Sequence, residues 1–153
     1  MADIVDPSTR SRMMSAIRSK DTVPELIIRR GLHAKGLRYR LHAKDLPGKP
    51  DLVFPRHGAI VMVHGCFWHG HDCPYFKLPA TRRHFWQDKI EGNRRRDRKA
   101  ASALIHQGWR VLTVWECALR GAPRNEQDKV IDQVARWIES GDDGMDIRGA
   151  KKG

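Results

Sequence analysis

Residues Ala59-Ile60-Val61-Met62-Val63-His64-Gly65-Cys66-Phe67-Trp68-His69-Gly70-His71-Asp72-Cys73 change character partway along. The first five are apolar without a break, which suits a strand covered on both faces. The last ten hold three histidines and two cysteines. A two-faced strand needs helices above and below it, so this stretch predicts an α/β fold with ligand-bearing side chains just past a central strand.

The flanks supply the other layers. Thr22-Val23-Pro24-Glu25 reads as a capping box opening a helix to about Lys35, with Gly36 as its left-handed stop. From Leu37 to His42, Leu37, Tyr39 and Leu41 alternate with polar residues, as in a strand wet on one face. Asp51 to Phe54 is a short strand after the turn Pro47-Gly48-Lys49-Pro50. A long helix is expected from Arg82 to His106, with Trp86, Ile90, Asn93, Asp97, Ala101 and Leu104 on one stripe. Trp109 to Val114 is another buried strand, and Val130 to Ile138 a closing amphipathic helix. The whole reads as an α/β sandwich around a mixed central sheet. Residues 1–20 form a basic arm, 21–140 the main domain, and 141–153 a polar, frayed tail.

Charge narrows the function. Lys and Arg total 29 against 18 acids, a net +11. That surplus favours a polyanionic partner, because each neutralised phosphate releases a condensed counterion. An anionic membrane surface is the weaker alternative. No apolar run approaches the roughly 20 residues that span a bilayer, and the N-terminus lacks a signal peptide's apolar stretch, so the cytoplasm is expected. The three cysteines, an odd number, argue against a disulfide framework.

Buried inert thiols are one reading of those cysteines. Metal ligation is the other: Cys66, His71 and Cys73 are close enough to wrap one ion, and Cys117 closes a tetrahedron from beyond the last buried strand. A Cys3His set is a common holder of structural zinc. His64 and His69 are then left to face one cleft, where imidazoles can take or give a proton near neutral pH. Asp51 follows Pro50 at a strand start, the kind of place from which a carboxylate seats magnesium. Glu25 is accounted for by its capping box, yet can reach the same site through a metal-bound water. Asp97 lies on an otherwise apolar stripe, where a carboxylate is costly unless paired, and a histidine is its natural partner. Phe67, Trp68 and Trp86 suit a wedge between base pairs, beside Arg82. Phe85 and Trp109 read as ordinary core.

With those residues in hand, the sequence resembles the bacterial very short patch repair (Vsr) DNA mismatch endonuclease family. The matching segments are Thr9-Arg-Ser-x-x-Met14, Leu46-Pro-Gly-x-Pro-Asp51, His64-Gly-Cys-Phe-Trp-His69, Lys77-x-Pro-Ala-Thr-Arg82, Arg96-Asp97-Arg98 and Gly108 to Arg120. The resemblance implies a restriction-endonuclease-like fold with a structural zinc. It implies nicking 5′ of the thymine in a T:G mismatch left by deamination of 5-methylcytosine, commonly within CC(A/T)GG. By similarity Asp51 and the Val63 backbone carbonyl bind magnesium, and His64 and His69 assist water and leaving group. Glu25 and Asp97 complete the catalytic set, and Cys66, His71, Cys73 and Cys117 hold zinc. Met14, Phe67, Trp68, Trp86, Arg82 and Lys77 contact DNA. Two departures stand out: Val63 replaces the family's usual Thr, and the histidine-rich run after His69 is thinned to Gly70-His71-Asp72. A zinc-stabilised mismatch-binding protein without catalysis, and a nuclease with another methyl-site context, are the competing readings. A monomer suffices for one nick; mismatch-repair proteins are the expected partners besides duplex DNA.

Overall fold

The computed structural model describes residues 22–149. The basic arm, with its Met14, and the last four residues lie outside them. Helix α1 (Val23–Ala34) is followed by strands β1 (Arg40–Leu41), β2 (Leu52–Phe54) and β3 (Ala59–His64). Then come helix α2 (Arg83–His106), strand β4 (Arg110–Trp115), helix α3 (Arg124–Ser140) and strand β5 (Met145–Ile147). The five strands form one mixed sheet in chain order. β1, β2 and β3 pair antiparallel, whereas β3–β4 and β4–β5 are parallel.

Alternation along the strands assigns the faces. Leu52, Phe54, Ala59, Val61, Leu112 and Val114 pack with Ile28 and Leu32 of α1 and with Val134, Trp137 and Ile138 of α3. Val53, Ile60, Met62 and Val111 point the other way, against Leu104 of α2. β3 is thus buried on both sides, as its unbroken apolar run predicts. Among the described residues no helix is long and apolar enough to cross a membrane.

Four expectations need correction. Thr22 makes no side-chain capping bond, and Glu25 turns inward instead of back toward the cap. β1 is reduced to two residues. Leu37 and Tyr39 do go inward, Tyr39 edge-on to Phe54, but as irregular chain, and Leu41 stays exposed. Phe85 is exposed rather than core, because its side of α2 meets no other element's cluster. The expected frayed tail contains β5, whose Ile147 is buried against Val114's side of the sheet.

One side chain locks the layers. Arg110, at the start of β4, donates to the carbonyls of Trp137 (3.1 Å), Ile138 (2.8 Å), Asp142 (3.0 Å) and His57 (3.1 Å). It also stacks on the Trp137 ring at 4.6 Å. The guanidinium therefore satisfies the open carbonyls at the end of α3, which no helix can pair internally. Replacing it with Met should destabilise the protein by about 1–3 kcal/mol in urea unfolding. Arg110→Lys should restore little, since a single ammonium lacks the planar fork. Full stability in either variant would contradict this role.

Candidate functional site

β3 and β4 run parallel, so their carboxyl ends lie side by side, with His64 registered against Trp115. The loops leaving those ends carry the ligand-rich residues, the usual place for a site on an open α/β sheet. The loop after β3 has no regular structure and folds on itself. His71 N–H donates to Cys66 O (2.9 Å), His69 N–H to Gly65 O (3.2 Å), and Phe76 N–H to Cys73 O (3.0 Å). Asn93 of α2 donates its amide to the Trp68 carbonyl at 2.8 Å, clamping the loop to the helix. Gly70 sits at φ +61°, and a Cβ there would lie 2.7 Å from Ile90 and 2.8 Å from Arg94 of α2. The loop therefore lies close against the helix at Gly70.

The first cluster unites Cys66, His71, Cys73 and Cys117, whose ligating atoms all lie within 4.8 Å of one another. His71 Nδ1 is 3.5 Å from both Cys66 Sγ and Cys117 Sγ. Tetrahedral zinc with bonds of about 2.3 Å to sulfur and about 2.1 Å to nitrogen requires an S···N edge near 3.6 Å, so the donors fit. Burial pushes the Cys66 and Cys117 thiols up, which makes uncompensated thiolates costly here. On its other side His71 Nε2 faces Asp72 at 3.7 Å, and Arg148 donates to the Asp72 carbonyl at 2.9 Å. Gly149 N–H reaches Cys117 Sγ at 3.3 Å, and any Cβ there would strike the Cys117 carbonyl at 2.2 Å.

The second cluster is His64, His69 and Asp97. Asp97 accepts a short hydrogen bond at His69 Nδ1, the partnership expected of an acid on the apolar stripe of α2. His64 stacks face to face on His69, with ring centroids 3.8 Å apart and planes 1° from parallel. Burial first, then the neighbouring His69, depress the His64 pKa to about 3, so that ring is neutral at working pH. Its Nδ1 is buried without a partner among the described residues. Trp115 joins the two clusters, stacked on His71 at 3.9 Å and edge-on to His64 at 5.2 Å.

The third cluster is Glu25, His42 and Asp51. Asp51 accepts a hydrogen bond from Val63 N–H at 2.8 Å, which fixes its carboxylate one residue from His64. Burial, with the nearby Glu25 carboxylate adding to it, raises the Asp51 pKa to about 7 against the Val63 bond. Glu25 is only 2% exposed and faces Arg29 at 3.1 Å and His42 Nε2 at 2.9 Å. Sequence reasoning missed His42, which the alternation puts on a solvent face, and Trp115, whose ring contacts leave no trace in spacing.

The aromatic residues gather beside the loop. Phe67, Trp68 and Trp86 meet edge to face, with centroids 5.2–5.9 Å apart. Trp68 is 8% exposed and backs the other two, which are half-buried. Arg82, at φ +55°, lies 4.2 Å over the exposed Phe85 ring, and Lys77 is exposed. Arg94, Arg95, Arg96, Arg98 and Lys99 are exposed along α2.

Residues 2–75 match the family described as DNA mismatch endonuclease Vsr. The DNA mismatch endonuclease Vsr of Escherichia coli K12 is 45% identical over 138 residues, covering 90% of this chain and 88% of that protein. A type II nicking enzyme of Xanthomonas oryzae pv. oryzae, V.XorIIP, is 50% identical over 78% of this chain and 88% of its own length. The nicking enzyme V.NmeAIP of Neisseria meningitidis serogroup A is 42% identical over 78% and 86%.

The raised Asp51 pKa has a definite sign for stability. Between about pH 4 and pH 7 the unfolded chain releases a proton that the folded chain keeps, so stability falls as pH rises through that window. Asp51→Asn removes the effect. In magnesium-free buffer its melting temperature should exceed that of the parent at pH 8, by a margin that narrows at pH 5.5. A margin that widens toward low pH would contradict the burial argument.

Proposed function

Because the chain belongs to the family of the DNA mismatch endonuclease Vsr, a family of DNA-hydrolysing enzymes, we propose that it nicks duplex DNA 5′ of the thymine in a T:G mismatch. The observation that carries the reading is the 2.8 Å bond from Val63 N–H to Asp51. It holds a carboxylate suited to a hard cation next to the His64–His69–Asp97 array. Asp51, with Glu25 nearby and the Val63 backbone carbonyl, offers the oxygen donors that magnesium prefers. Val63 serves through its main chain, so the missing threonine hydroxyl costs nothing in this reading. Magnesium bound there supplies positive charge to the phosphate and acidifies a coordinated water. Cys66, His71, Cys73 and Cys117 hold zinc, a closed set that braces the loop and leaves no coordination position for chemistry.

The chain's own residues do the rest. Asp97 keeps the proton on His69 Nδ1 and leaves Nε2 as acceptor, so His69 takes the proton from the attacking water. The water oxygen joins phosphorus, the bond to the leaving sugar oxygen breaks, and that oxygen takes up a proton from solvent water. The neutral His64 ring stacks behind His69 and fixes its plane. Phe67 and Trp86, backed by Trp68 and joined by Met14 of the arm, form the wedge; unstacking costs least where pairing is already poor. Arg82, Lys77 and the basic side of α2 hold the phosphates. The enzyme acts as a monomer in the cytoplasm and passes its nick to mismatch-repair proteins. CC(A/T)GG is the first context to test, and other methyl-site contexts come next.

Incubation with magnesium and a labelled T:G duplex in CT(A/T)GG should give one nick 5′ of the mismatched thymine and none in the T:A control. Asp51→Ala should abolish it, and Asp97→Asn should slow it about 10²–10⁴-fold. An unchanged rate in Asp97→Asn would overturn the orienting role. Mismatch binding without cleavage in every methylation context would favour the non-catalytic binder.

A further inference from the structure

Glu25, His42 and Asp51 come from three different places: the first turn of α1, the residue after β1 and the residue before β2. Chain geometry brings them together deliberately at His42. Its φ of +48° lies in the left-handed region that side-chain-bearing residues seldom adopt, and its N–H donates to the Asp51 carbonyl at 3.0 Å. The resulting bend ends β1 and presents the ring to the two carboxylates. His42 Nε2 stands 2.9 Å from Glu25 Oε2, and the ligating atoms of all three residues lie within 4.8 Å of one another. Adjacent ligands of an octahedral ion with bonds of about 2.1 Å are about 3.0 Å apart, so the His42–Glu25 separation matches one edge of such a shell. Arg29, at 3.1 Å, is the cation already facing Glu25. With two carboxylates converging, one guanidinium leaves negative charge to be met.

We propose that His42 is a third protein ligand of the divalent cation seated at Asp51 and Glu25, and that it tilts this centre toward Mn2+ over Mg2+. The inference rests on the reading of Asp51 as a cation-binding residue. Imidazole is a poor ligand for magnesium; Mn2+, although the weakest binder of the first-row transition ions and fond of oxygen donors, accepts a nitrogen in a mixed shell more readily. In the free protein Nε2 bonds to Glu25. Ligation uses the other neutral tautomer, with the ring proton on Nδ1.

The test is Mn2+ binding to the zinc-loaded protein, followed by electron paramagnetic resonance, with pulsed detection of nitrogen-14 coupled to the bound ion. The parent protein should bind Mn2+ and show one histidine nitrogen. His42→Gln should lose the nitrogen signal and weaken Mn2+ binding about tenfold, while Mg2+ competition changes far less. His69→Gln should keep the signal, identifying its source as His42. No nitrogen coupling in the parent, or coupling that survives in His42→Gln, would overturn the proposal while leaving Asp51 as a cation ligand. Mn2+ affinity unaffected by Asp51→Asn would overturn the underlying reading as well.

Discussion

The site depends on four side chains meeting at the carboxyl ends of two parallel strands. Cys66, His71 and Cys73 lie in a loop without regular structure, and Cys117 enters from the short helical turn that follows β4. A loop of this length pays heavily in chain entropy unless something ties it down. The local backbone bonds from His69, His71 and Phe76 shape it, but they are all internal to the loop. The meeting with Cys117, the Asn93–Trp68 and His69–Asp97 bonds to α2, the bond from Cys66 N–H to Glu116 and the Arg148–Asp72 contact near β5 anchor it to the rest of the protein. Three thiols around one imidazole make a poor core by themselves and a good cage for a zinc-like cation.

From that anchor the rings carry order toward the His64–His69–Asp97 cluster. His71 stacks on Trp115, Trp115 meets His64 edge-on, His64 stacks on His69, and His69 is bonded to Asp97 on α2. Each aromatic contact is worth only about 0.5–1.5 kcal/mol, but together they fix ring planes that a solvated loop would leave free. The same burial keeps His64 neutral and raises the Asp51 pKa, so the site is short of positive charge where two carboxylates converge. A divalent cation bound at those carboxylates would answer that shortage. The charge pattern, +11 overall with arginines exposed along α2, is consistent with a polyanionic substrate.

Much of this was legible in the residues. The unbroken apolar run of β3 forecasts a strand between helices. One acid on the apolar stripe of α2 forecasts a histidine partner, since an unpaired carboxylate there is costly. The meeting of Cys66, His71, Cys73 and Cys117 was legible because all the cysteines and one histidine could be grouped as one donor set. The misses share a physical cause: the local pattern had a sufficient local explanation. Glu25 fits a capping box, yet tertiary contacts with His42 and Arg29 draw it inward. His42 fits the wet face of a strand, but a left-handed turn swings it to the carboxylates. β5 hides in a polar stretch because an edge strand of three residues needs only Ile147 to face the core. Phe85 looks like core by composition, and no alternation on α2 distinguishes its exposed position from that of Trp86.

The central claim is that a metal ion closes the Cys66–His71–Cys73–Cys117 cage and thereby holds the loop that carries His69. X-ray absorption at the zinc edge, on protein purified without added metal, tests it most directly. The account predicts one zinc per chain with three sulfur neighbours at about 2.3 Å and one nitrogen at about 2.0–2.1 Å. A shell of oxygen and nitrogen alone, or well-folded protein that lacks the metal, would contradict it.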